Sequence, residues 1–476
     1  MVRMARAMWT AGATTCLMLS ARTPRAVAAQ SACGPTVFCP GDSLDLKVQA
    51  QPPGTAFRFT PGVYRGQSIR PKTDQSFTGE PGVLMTGGAI VGGWQRRGDV
   101  WSVSYPKTHV PVRNGGRCEP DHPVCNEYED LYVDDVLQRR VDAAIKVRPG
   151  SWYFDYATAT LGTDPTGHRV EMTVSPYAFR GTGETGFPRH VTIRQLVVEK
   201  YAGGEKGNAG GAIWTERGSD GWLIDSVETR FNHFAGIRFA SHAVVRHSFT
   251  HDNGFEGWNS YQSDSALIEE SESARNNAAG YDCRWSCGGG KMVRTRWFVM
   301  RNAFVHDNHG TGVWMDIDNR WCVLEGNRVF GNDHQGIFYE ISSDCLIRNN
   351  DVERNGAHRS DDLGGSGILV VSSQNVEIAG NRVLDNGNGI GIREDDHRGS
   401  GLYGPWTTKN IWVHDNVIRL NRPDALTGVG DLSHTGTIYA PGNVRFERNQ
   451  YEGSGGAHFL TRTGRVTKCD GAGVWC

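Results

Sequence analysis

An asparagine that precedes a glycine by four residues recurs along the chain and constrains the fold more than any other feature. Successive asparagines of this series are 21, 23, 32, 24, 23, 31 and 35 residues apart. The series consists of Asn232/Gly236, Asn253/Gly257, Asn276/Gly280, Asn308/Gly312 and Asn332/Gly336, and it continues with Asn355, Asn386 and Asn421. Short strands and turn residues at this period predict a parallel β-helix, in which a short step is one coil and a long step carries an inserted loop. The units lack the leucine consensus of leucine-rich repeats, so that rival solenoid is set aside.

A second asparagine series lies five residues before the first, at Asn327, Asn350, Asn381 and Asn416. Both series are interpreted as stacked asparagines whose side chains satisfy the backbone of the turns. Cys322 and Cys345 lie ten residues before the main asparagines of adjacent coils, so strand spacing places them about 4.8 Å apart. A disulfide and a stacked pair of buried cysteines both fit that distance.

The pattern of strands and turns divides the chain into regions. Residues 30–112 are predicted to be early coils, with short strands between glycine turns, as at Pro61–Tyr64. Residues 113–182 contain hairpin-like segments, including Leu131–Val136 and Ser151–Asp155, and predict a small antiparallel β-domain inserted between coils. Residues 183–476 are predicted to be the main β-helix with a C-terminal cap. The expected fold class is therefore all-β.

The N-terminal residues 1–29 are typical of an export signal. Arg3 and Arg6 precede the mainly apolar segment Met8–Leu19, and Ala26–Ala29 offers small residues for cleavage. Removal of the signal leaves ten cysteines, and an even number favours disulfides in an oxidising compartment. Eight of them form close local pairs: Cys33/Cys39, Cys118/Cys125, Cys283/Cys287 and Cys469/Cys476. Their spacing is not that of a zinc site, and a secreted, extracellular protein is predicted.

Charge and hydropathy limit the possible partners. The 476 residues carry a formal charge of −2 with a pI of about 6.8, so the chain lacks the positive field of a nucleic-acid-binding protein. No segment after the export signal is apolar enough to span a membrane. We expect a monomer with neither nucleic-acid nor membrane partners.

Counting from each glycine of the repeat assigns the strand residues to two faces. The residue after the glycine is apolar in every coil and is predicted to point inward, as in Ile237, Trp258, Tyr281, Val313, Ile337, Ile368 and Ile390. The residues two, four and six positions after the glycine are predicted to point outward. By this count Arg284, Asp316 and Glu340 lie on three consecutive coils, and Asp318 lies on the strand of Asp316.

Two acids on neighbouring coils are the main candidates for catalysis. Coil spacing places Asp316 about 5 Å from Glu340, and Asp318 lies about 8 Å from Glu340 on the diagonal. Acids this close serve as proton donor and as nucleophile or base, and their proximity raises one pKa. Close pairs suit retaining hydrolysis and wider pairs suit inverting hydrolysis, and strand geometry alone does not choose between them.

Further candidates surround these acids. Lys291 follows the insertion Cys287–Gly290 and is able to reach over the acids as a base or a substrate contact. Trp314 and Phe338 are expected to be exposed and to stack on sugar rings. The predicted substrate-binding residues are Arg284, Trp314, Phe338, Tyr261, His309, His334 and Arg393. Cys283 falls in the inward column, which argues against its pairing with Cys287.

These residues resemble the secreted right-handed parallel β-helix proteins that act on polysaccharides. The "PGVY" opening at Pro61–Tyr64 is similar to their N-terminal coils, and Leu131–Asp134 resembles the inserted β-domain of β-helix glycoside hydrolases. The resemblance implies a right-handed solenoid and a polysaccharide-degrading glycoside hydrolase that needs no cofactor and uses paired carboxylates. The NTD and GHG signatures of polygalacturonases do not occur in matching order, and a DPHD-like epimerase strand is missing.

Two alternatives remain open. Pectate lyases of this fold use Ca²⁺ with an arginine or lysine base, so Asp316, Asp318 and Glu340 would hold Ca²⁺ while Lys291 or Arg284 abstracts the proton. A non-catalytic glycan-binding solenoid at the cell surface is the other alternative.

Overall fold

The computed structural model describes residues 33–105, 115–205, 208–358, 363–397 and 399–453 and the strands His458–Leu460 and Val466–Lys468. Outside an inserted sheet, the described residues form the predicted right-handed parallel β-helix. The predicted export signal and the pair Cys469/Cys476 lie outside the described residues. Among the described helices, none combines the length and apolarity required to cross a lipid bilayer.

Three parallel sheets form the β-helix, and each complete coil from Phe179 onward adds one strand to each of them, whereas the earlier coils contribute strands to the first and second sheets only. The first sheet has 13 strands: Val37–Phe38, Ala56–Phe59, Ser76–Gly79, Thr192–Arg194, Leu223–Asp225, Val244–Arg246, Leu267–Glu269, Val299–Arg301, Arg320–Glu325, Ser343–Arg348, Gln374–Ala379, Lys409–His414 and Val444–Glu447. The second sheet has 12 strands: Gly62–Arg65, Val83–Thr86, Val197–Glu199, Glu228–Arg230, Phe249–His251, Glu272–Ala274, Phe304–His306, Arg328–Phe330, Asp351–Glu353, Arg382–Leu384, Val417–Arg419 and Gln450–Glu452. The third sheet has ten strands: Phe179–Gly181, Gly211–Thr215, Ala235–Phe239, Glu256–Tyr261, Gly288–Val293, Thr311–Asp316, Ile337–Glu340, Ser366–Val371, Asn388–Glu394 and Gly428–Asp431.

Helices are few and short. An α-helix spans Leu44–Ala50 and buries Leu44 and Val48 against the first coils. Single 3₁₀ turns occur at Ala144–Lys146, Gly183–Thr185 and Thr437–Tyr439. Three two-stranded antiparallel ribbons pair Gly204–Glu205 with Asn208–Ala209, Ser400–Gly401 with Gly404–Pro405, and His458–Leu460 with Val466–Lys468.

Inward-pointing apolar side chains of successive coils stack into one continuous core. Ile237, Trp258, Val313, Ile337, Ile368 and Ile390 all belong to it, as the inward column predicts. Each strand supplies only a few apolar residues, so burial depends on the coil above and the coil below.

Asparagine side chains connect the turns of successive coils, as the two predicted series indicate. Each Nδ2 atom donates to the Oδ1 atom of the next asparagine at 2.8–2.9 Å along Asn232, Asn253, Asn276, Asn308, Asn332, Asn355 and Asn386. The second ladder is formed in the same way by Asn327, Asn350, Asn381, Asn416 and Asn449. Asn421 does not continue the first ladder, because its side chain is exposed and donates to Asp385.

Two disulfide questions left by the sequence are resolved. Cys322 and Cys345 are register partners on adjacent strands of the first sheet and are bonded to each other. Cys118 pairs with Cys125, as predicted. Cys283 also pairs with Cys287, and the argument against that bond was wrong because Cys283 lies in a loop and not on an inward strand position.

An eight-stranded sheet is inserted between early and late coils. Its strands are Gly88–Ile90, Gln95–Arg97, Val100–Ser104, Leu131–Val133, Val136–Arg140, Ser151–Phe154, Thr158–Leu161 and Val170–Thr173. Strands from 88–104 therefore belong to this sheet although residues 30–112 were predicted to be coils, and Phe179–Gly181 already belongs to the third sheet. All pairings are antiparallel except that of Val136–Arg140 with Ser151–Phe154.

A buried lysine fastens the inserted sheet to the coils. The Lys200 side chain is fully buried, and its ammonium group binds the carboxylates of Asp135 and Glu171 from the inserted sheet. Glu171 also accepts a hydrogen bond at 2.7 Å from Arg65 on the second sheet. Because two cations from the coils meet carboxylates of the inserted sheet, no buried charge in this contact is left unpaired.

The first asparagine ladder predicts that removal of one stacked asparagine side chain lowers the stability of the fold. Asn308→Ala removes the acceptor for the backbone N–H of Asn276 and the donor for the carbonyl of Ser273. We expect the free energy of unfolding to fall by about 2–4 kcal/mol, because two buried backbone groups lose their partners. Urea denaturation followed by circular dichroism measures this change. Asn421→Ala is the matched control, and an equal effect of both variants would contradict the role of the ladder.

Candidate functional site

The outer face of the third sheet brings three predicted residues together on adjacent coils. Asp316 on strand Thr311–Asp316 is the register partner of Glu340 on the next coil. On the preceding coil, Lys291 is the register partner of Trp314. Parallel strands lie about 4.8 Å apart, so the Asp316 and Glu340 backbones are neighbours, as the sequence predicts.

The predicted position of Arg284 is wrong. The strand next to Thr311–Asp316 is Gly288–Val293, so the glycine of this coil that is equivalent to Gly312 is Gly289 and not Gly280. Arg284 lies in the loop before that strand, is 81 % exposed, and forms a bidentate pair with Asp282. Tyr281 was likewise predicted to point into the main core but packs in a separate cluster with Phe234 and Phe255.

Lys291 holds the Asp316 carboxylate. Its Nζ atom lies 2.8 Å from Asp316 Oδ2 and donates to the carbonyl of Trp285 at 2.9 Å. The same ammonium group lies 3.4 Å from the centre of the Trp314 ring. Lys291 and Asp316 are both 7 % exposed, so their ion pair is shielded from water.

Glu340 is bound from two sides. Trp314 Nε1 donates to its Oε2 atom at 3.1 Å, and His397 Nε2 lies 3.5 Å from its Oε1 atom. The Glu340 carboxylate raises the pKa of His397, against the lowering effect of burial. His397 was not predicted as a site residue, because it lies in the 394–407 insertion, where the repeat gives no position for a side chain.

Burial controls the protonation of Asp316. Removal from water raises the pKa of Asp316 to about 6, the Lys291 ammonium opposes that shift, and the neighbouring Glu340 adds to it. Asp316 is therefore largely ionised at neutral pH while its proton remains accessible in mildly acidic solution.

Trp314 and Phe338 are not the exposed aromatic platform that the sequence predicts. Their rings stack with centroids 5.1 Å apart and are only 5 % and 7 % exposed. They pack in a cluster outside the main core with Leu363, Leu369, Val371 and Leu426. Segments following the neighbouring coils cover this face, so the rings form one wall of the site and hold its acids in place.

Asp318 points away from the acid pair because the coil contains an extra residue. Asp316 pairs with Glu340, 24 positions later, whereas Arg320 pairs with Ser343, 23 positions later. Ile317 and Asp318 have φ values of 58° and 54°, and these left-handed residues absorb the extra position. The Asp318 carboxylate accepts hydrogen bonds from the backbone N–H of Leu402 and from Trp406 Nε1, both at 3.1 Å.

Tyr261 and Arg393 lie in the outward column further from the acids. Tyr261 is 43 % exposed and accepts a hydrogen bond at 3.0 Å from Arg294. Val293 separates Tyr261 from Asp316 in the column, and Val371 separates Glu340 from Arg393. Arg393 is paired with Asp395 at 2.6 Å. Both residues border the acids at a distance of two coils.

His309 and His334 lie at the turns before the strands of the site. His309 is exposed, and a contact of 3.2 Å with Asp333 raises its pKa. Burial lowers the pKa of His334, whose ring lies 6.5 Å from that of His358. Among the described residues, no group of three or more Asp, Glu, His or Cys side chains is arranged to hold a metal ion, and Asp318 does not join Asp316 and Glu340 as the predicted Ca²⁺ set requires.

Glu256 is a buried acid on the same face that sequence reasoning missed. Its carboxylate is fully buried and accepts hydrogen bonds from Asn259 and Ser286. Burial raises the pKa of Glu256 to about 7, against smaller lowering effects of its hydrogen bonds and of Lys291. It lies one residue before the glycine of its coil and three residues before the first position that was counted as outward.

Comparison with known proteins supports the fold. The family described as "Right handed beta helix region" matches residues 291–470. The complex structure of XylC with xylose is 12 % identical, covers 86 % of this chain and 82 % of that chain, and has a TM-score of 0.64. The A-module of the Azotobacter vinelandii mannuronan C-5 epimerase AlgE4 is 15 % identical, covers 84 % and 87 %, and has a TM-score of 0.50. No curated protein matches the sequence. At these identities the likeness shows the fold alone.

The burial of Glu256 predicts a pH-dependent stability. Its pKa is raised from 4.5 to about 7 on folding, so the folded state binds the proton more tightly and loses stability as the pH rises through that window. In Glu256→Gln this contribution is missing. The stability of the variant relative to the native protein is expected to rise by on the order of 3 kcal/mol between pH 4.5 and pH 7. Urea denaturation at both pH values tests this, with the exposed Glu452→Gln as control, and a pH-independent difference contradicts the assignment.

Proposed function

We propose that this protein is a retaining glycoside hydrolase that uses Asp316 and Glu340 on a polysaccharide or oligosaccharide. The observation that carries the proposal is the register pairing of these two acids on adjacent parallel strands. Asp318 is held by Leu402 and Trp406, which argues against the wider pair of Asp318 with Glu340. For the remaining pair, the strand spacing of about 4.8 Å approaches the ~5–5.5 Å between the carboxyl groups of retaining enzymes and is well short of the ~6.5–9.5 Å of inverting ones.

Asp316 is assigned as the nucleophile. A nucleophilic carboxylate must be ionised and held in one orientation, and the Lys291 ammonium at 2.8 Å serves both needs. The same cation opposes the rise that burial causes in the pKa of Asp316, and it thereby favours the ionised form that a nucleophile needs. With a pKa of about 6, Asp316 is charged at neutral pH.

Glu340 is assigned as the acid and base. Its side chain is 15 % exposed, compared with 9 % for Asp316, so water and a leaving group reach it more readily. Trp314 fixes one of its oxygens and His397 lies beside the other. A group that donates a proton in one step and removes one from water in the next needs such access.

The reaction follows from these positions. An Asp316 oxygen attacks the anomeric carbon while the bond to the leaving oxygen breaks and the Glu340 proton moves to that oxygen. The product is a glycosyl ester on Asp316. Glu340 then takes a proton from water, whose oxygen attacks the anomeric carbon and releases Asp316. No cofactor takes part in these steps, and we propose that none is required.

Secretion is part of the proposal. The disulfides Cys118–Cys125, Cys283–Cys287 and Cys322–Cys345 are typical of an oxidising compartment, in agreement with the predicted export signal. An extracellular location also gives the enzyme access to polysaccharides.

The second candidate is a polysaccharide lyase with Lys291 as the base. The position of Lys291 directly beside the acid pair favours it, but a base needs a free lone pair, and the Lys291 amine is engaged in an ion pair with Asp316 at 2.8 Å and donates to the carbonyl of Trp285. Hydrolysis is therefore preferred to β-elimination.

A panel of neutral and acidic polysaccharides, with and without EDTA, distinguishes these activities. It includes xylosides and mannuronate polymers, because structures with this fold were solved with xylose and as a mannuronan epimerase module. New reducing ends without ultraviolet absorbance are expected for the hydrolase. An absorbing, unsaturated product indicates the lyase, and a glycan that is bound but not cleaved indicates a binding protein.

Substitution of the two acids separates their roles. Asp316→Asn and Glu340→Gln are each expected to lower kcat by roughly 10³-fold or more, because each removes a group that acts at the anomeric carbon. In Asp316→Gly, added formate is expected to restore cleavage, since it replaces the missing carboxylate nucleophile. Glu377→Gln is the matched control, because Glu377 pairs with His414 at 3.2 Å on the first sheet, far along the chain from the acids. Full activity in both acid variants would refute the site.

The pH profile provides a second test of the roles. As the nucleophile, Asp316 must be ionised, so kcat/KM is expected to fall about tenfold per pH unit below its pKa of about 6. Lys291→Met removes the cation that lowers this pKa, and the acidic limb is expected to move to higher pH by about 1–3 units. Lys291→Arg keeps the charge and serves as control. A profile that instead rises as the pH falls below 6 would make Asp316 the proton donor.

A further inference from the structure

Exposed aromatic side chains line the corner between the third sheet and the first sheet: Tyr261 ends a strand of the third sheet, Trp297 lies in the turn after the next strand, and Trp321 is on strand Arg320–Glu325 of the first sheet. Trp297 is 48 % exposed, Tyr261 is 43 % exposed and Trp321 is 40 % exposed. Together with the half-buried Tyr403 from the 399–407 loop they form what we name the aromatic strip. This exposure contrasts with Trp314 and Phe338, which lie beside the acids but are buried.

The centre of the aromatic strip is preformed. Trp297 and Trp321 occupy successive coils, and their rings stack with centroids 4.8 Å apart and an angle of 16° between planes. Arg320 lies between Trp321 and Tyr403, at 4.4 Å and 4.8 Å from the two ring centres. Because the rings are already fixed, a ligand that packs on them orders few side chains on binding.

The arginines of the aromatic strip are all paired with carboxylates. Arg296 binds Asp264, and Arg320 lies 2.5 Å from Asp344. The third, Arg294, lies 3.8 Å from Asp318 and donates to Tyr261. The strip therefore carries no surplus positive charge, although guanidinium N–H groups and carboxylates surround its rings. This composition suits a neutral polyhydroxylated ligand better than an acidic one.

Two segments of the chain connect the aromatic strip to the acid pair. Trp321 follows Asp316 by five residues along the same coil. The loop that carries Tyr403 is anchored to Asp318 through Leu402 and Trp406. Residues just before that loop place His397 beside Glu340. The strip and the acid pair are therefore carried by the same coil and by the same 394–407 insertion, so a polysaccharide that extends from the acids along this corner reaches the rings.

We propose that the aromatic strip binds further sugar units of a neutral polysaccharide chain whose reacting unit lies at Asp316 and Glu340. This inference rests on the proposed function for its substrate, and it adds that the substrate is an uncharged chain of several sugars. Trp297 and Trp321 stack on each other and on Arg296 and Arg320, and the ring surface that stays exposed packs on the apolar faces of sugars. The paired arginines and carboxylates that surround the rings donate to and accept from hydroxyl groups.

Affinity electrophoresis of the full chain tests this without relying on cleavage. Asp316→Asn is the parent protein, so that the polymer in the gel stays intact, and the probes are arabinoxylan, mixed-linkage β-glucan, alginate and polygalacturonate. The parent is expected to be retarded by at least one neutral polymer. Trp297→Ala and Trp321→Ala are each expected to weaken that binding about 3- to 10-fold.

Matched variants guard against indirect effects. Trp412 lies on the first sheet beneath Arg445, 5.0 Å from its guanidinium, but outside the aromatic strip, so Trp412→Ala is expected to bind as the parent does. Trp321→Phe keeps a flat ring and is expected to retain most of the binding. Circular dichroism confirms that each variant is folded.

Three results would overturn the proposal: no retardation by any neutral polymer, equal retardation of the parent and both tryptophan variants, or stronger retardation by the acidic polymers. Its failure differs from that of the hydrolase assignment. Tryptophan-dependent binding by a protein that cleaves nothing would support the strip and refute the hydrolase. Cleavage of a neutral polymer without tryptophan-dependent binding would do the reverse.

Discussion

Hydrogen bonds between coils are the interaction on which this structure depends. A strand of two to seven residues cannot satisfy its own backbone, so every coil needs a neighbour on both sides. The asparagine ladders extend this dependence into the turns, where the buried Asn308 side chain bonds two backbone groups of the preceding coil and the side chain of Asn276. The same stacking places outward side chains of successive coils about 4.8 Å apart, and it thereby brings Asp316 beside Glu340.

The repeat made much of this fold predictable. The asparagine spacing predicted the coils, the ladders and the neighbouring positions of Asp316 and Glu340, because parallel stacking turns sequence period directly into spatial register. Prediction failed where the period is interrupted. Gly280 precedes a loop, and Gly289 occupies the position in the repeat that had been assigned to Gly280. One extra residue beside Asp318 turns its carboxylate away from Asp316 and Glu340.

Burial of the outer face by segments from later in the chain was the other feature that could not be predicted from the sequence. Alternation correctly placed Trp314 and Phe338 on the outer face, but no local pattern shows that a later segment covers them. His397 and Tyr403 could not be predicted for the same reason. Both lie in the 394–407 insertion, whose path depends on contacts with Asp318 and Glu340. The two acids could therefore be predicted from the sequence, whereas the neighbouring residues that set their protonation could not.

The contact around Lys200 has a consequence for how this architecture varies. The inserted sheet has its own apolar core, including Trp152 and Phe154, which would suit a module that is gained or lost as a unit. However, Lys200 belongs to a coil and is fully buried against Glu171 of that sheet. Excision of the sheet would leave the Lys200 ammonium group exposed or without its carboxylate partner. Transplantation of the sheet into another solenoid would leave the Glu171 carboxylate without the Lys200 cation. The two parts are therefore constrained to change together, despite their separate cores.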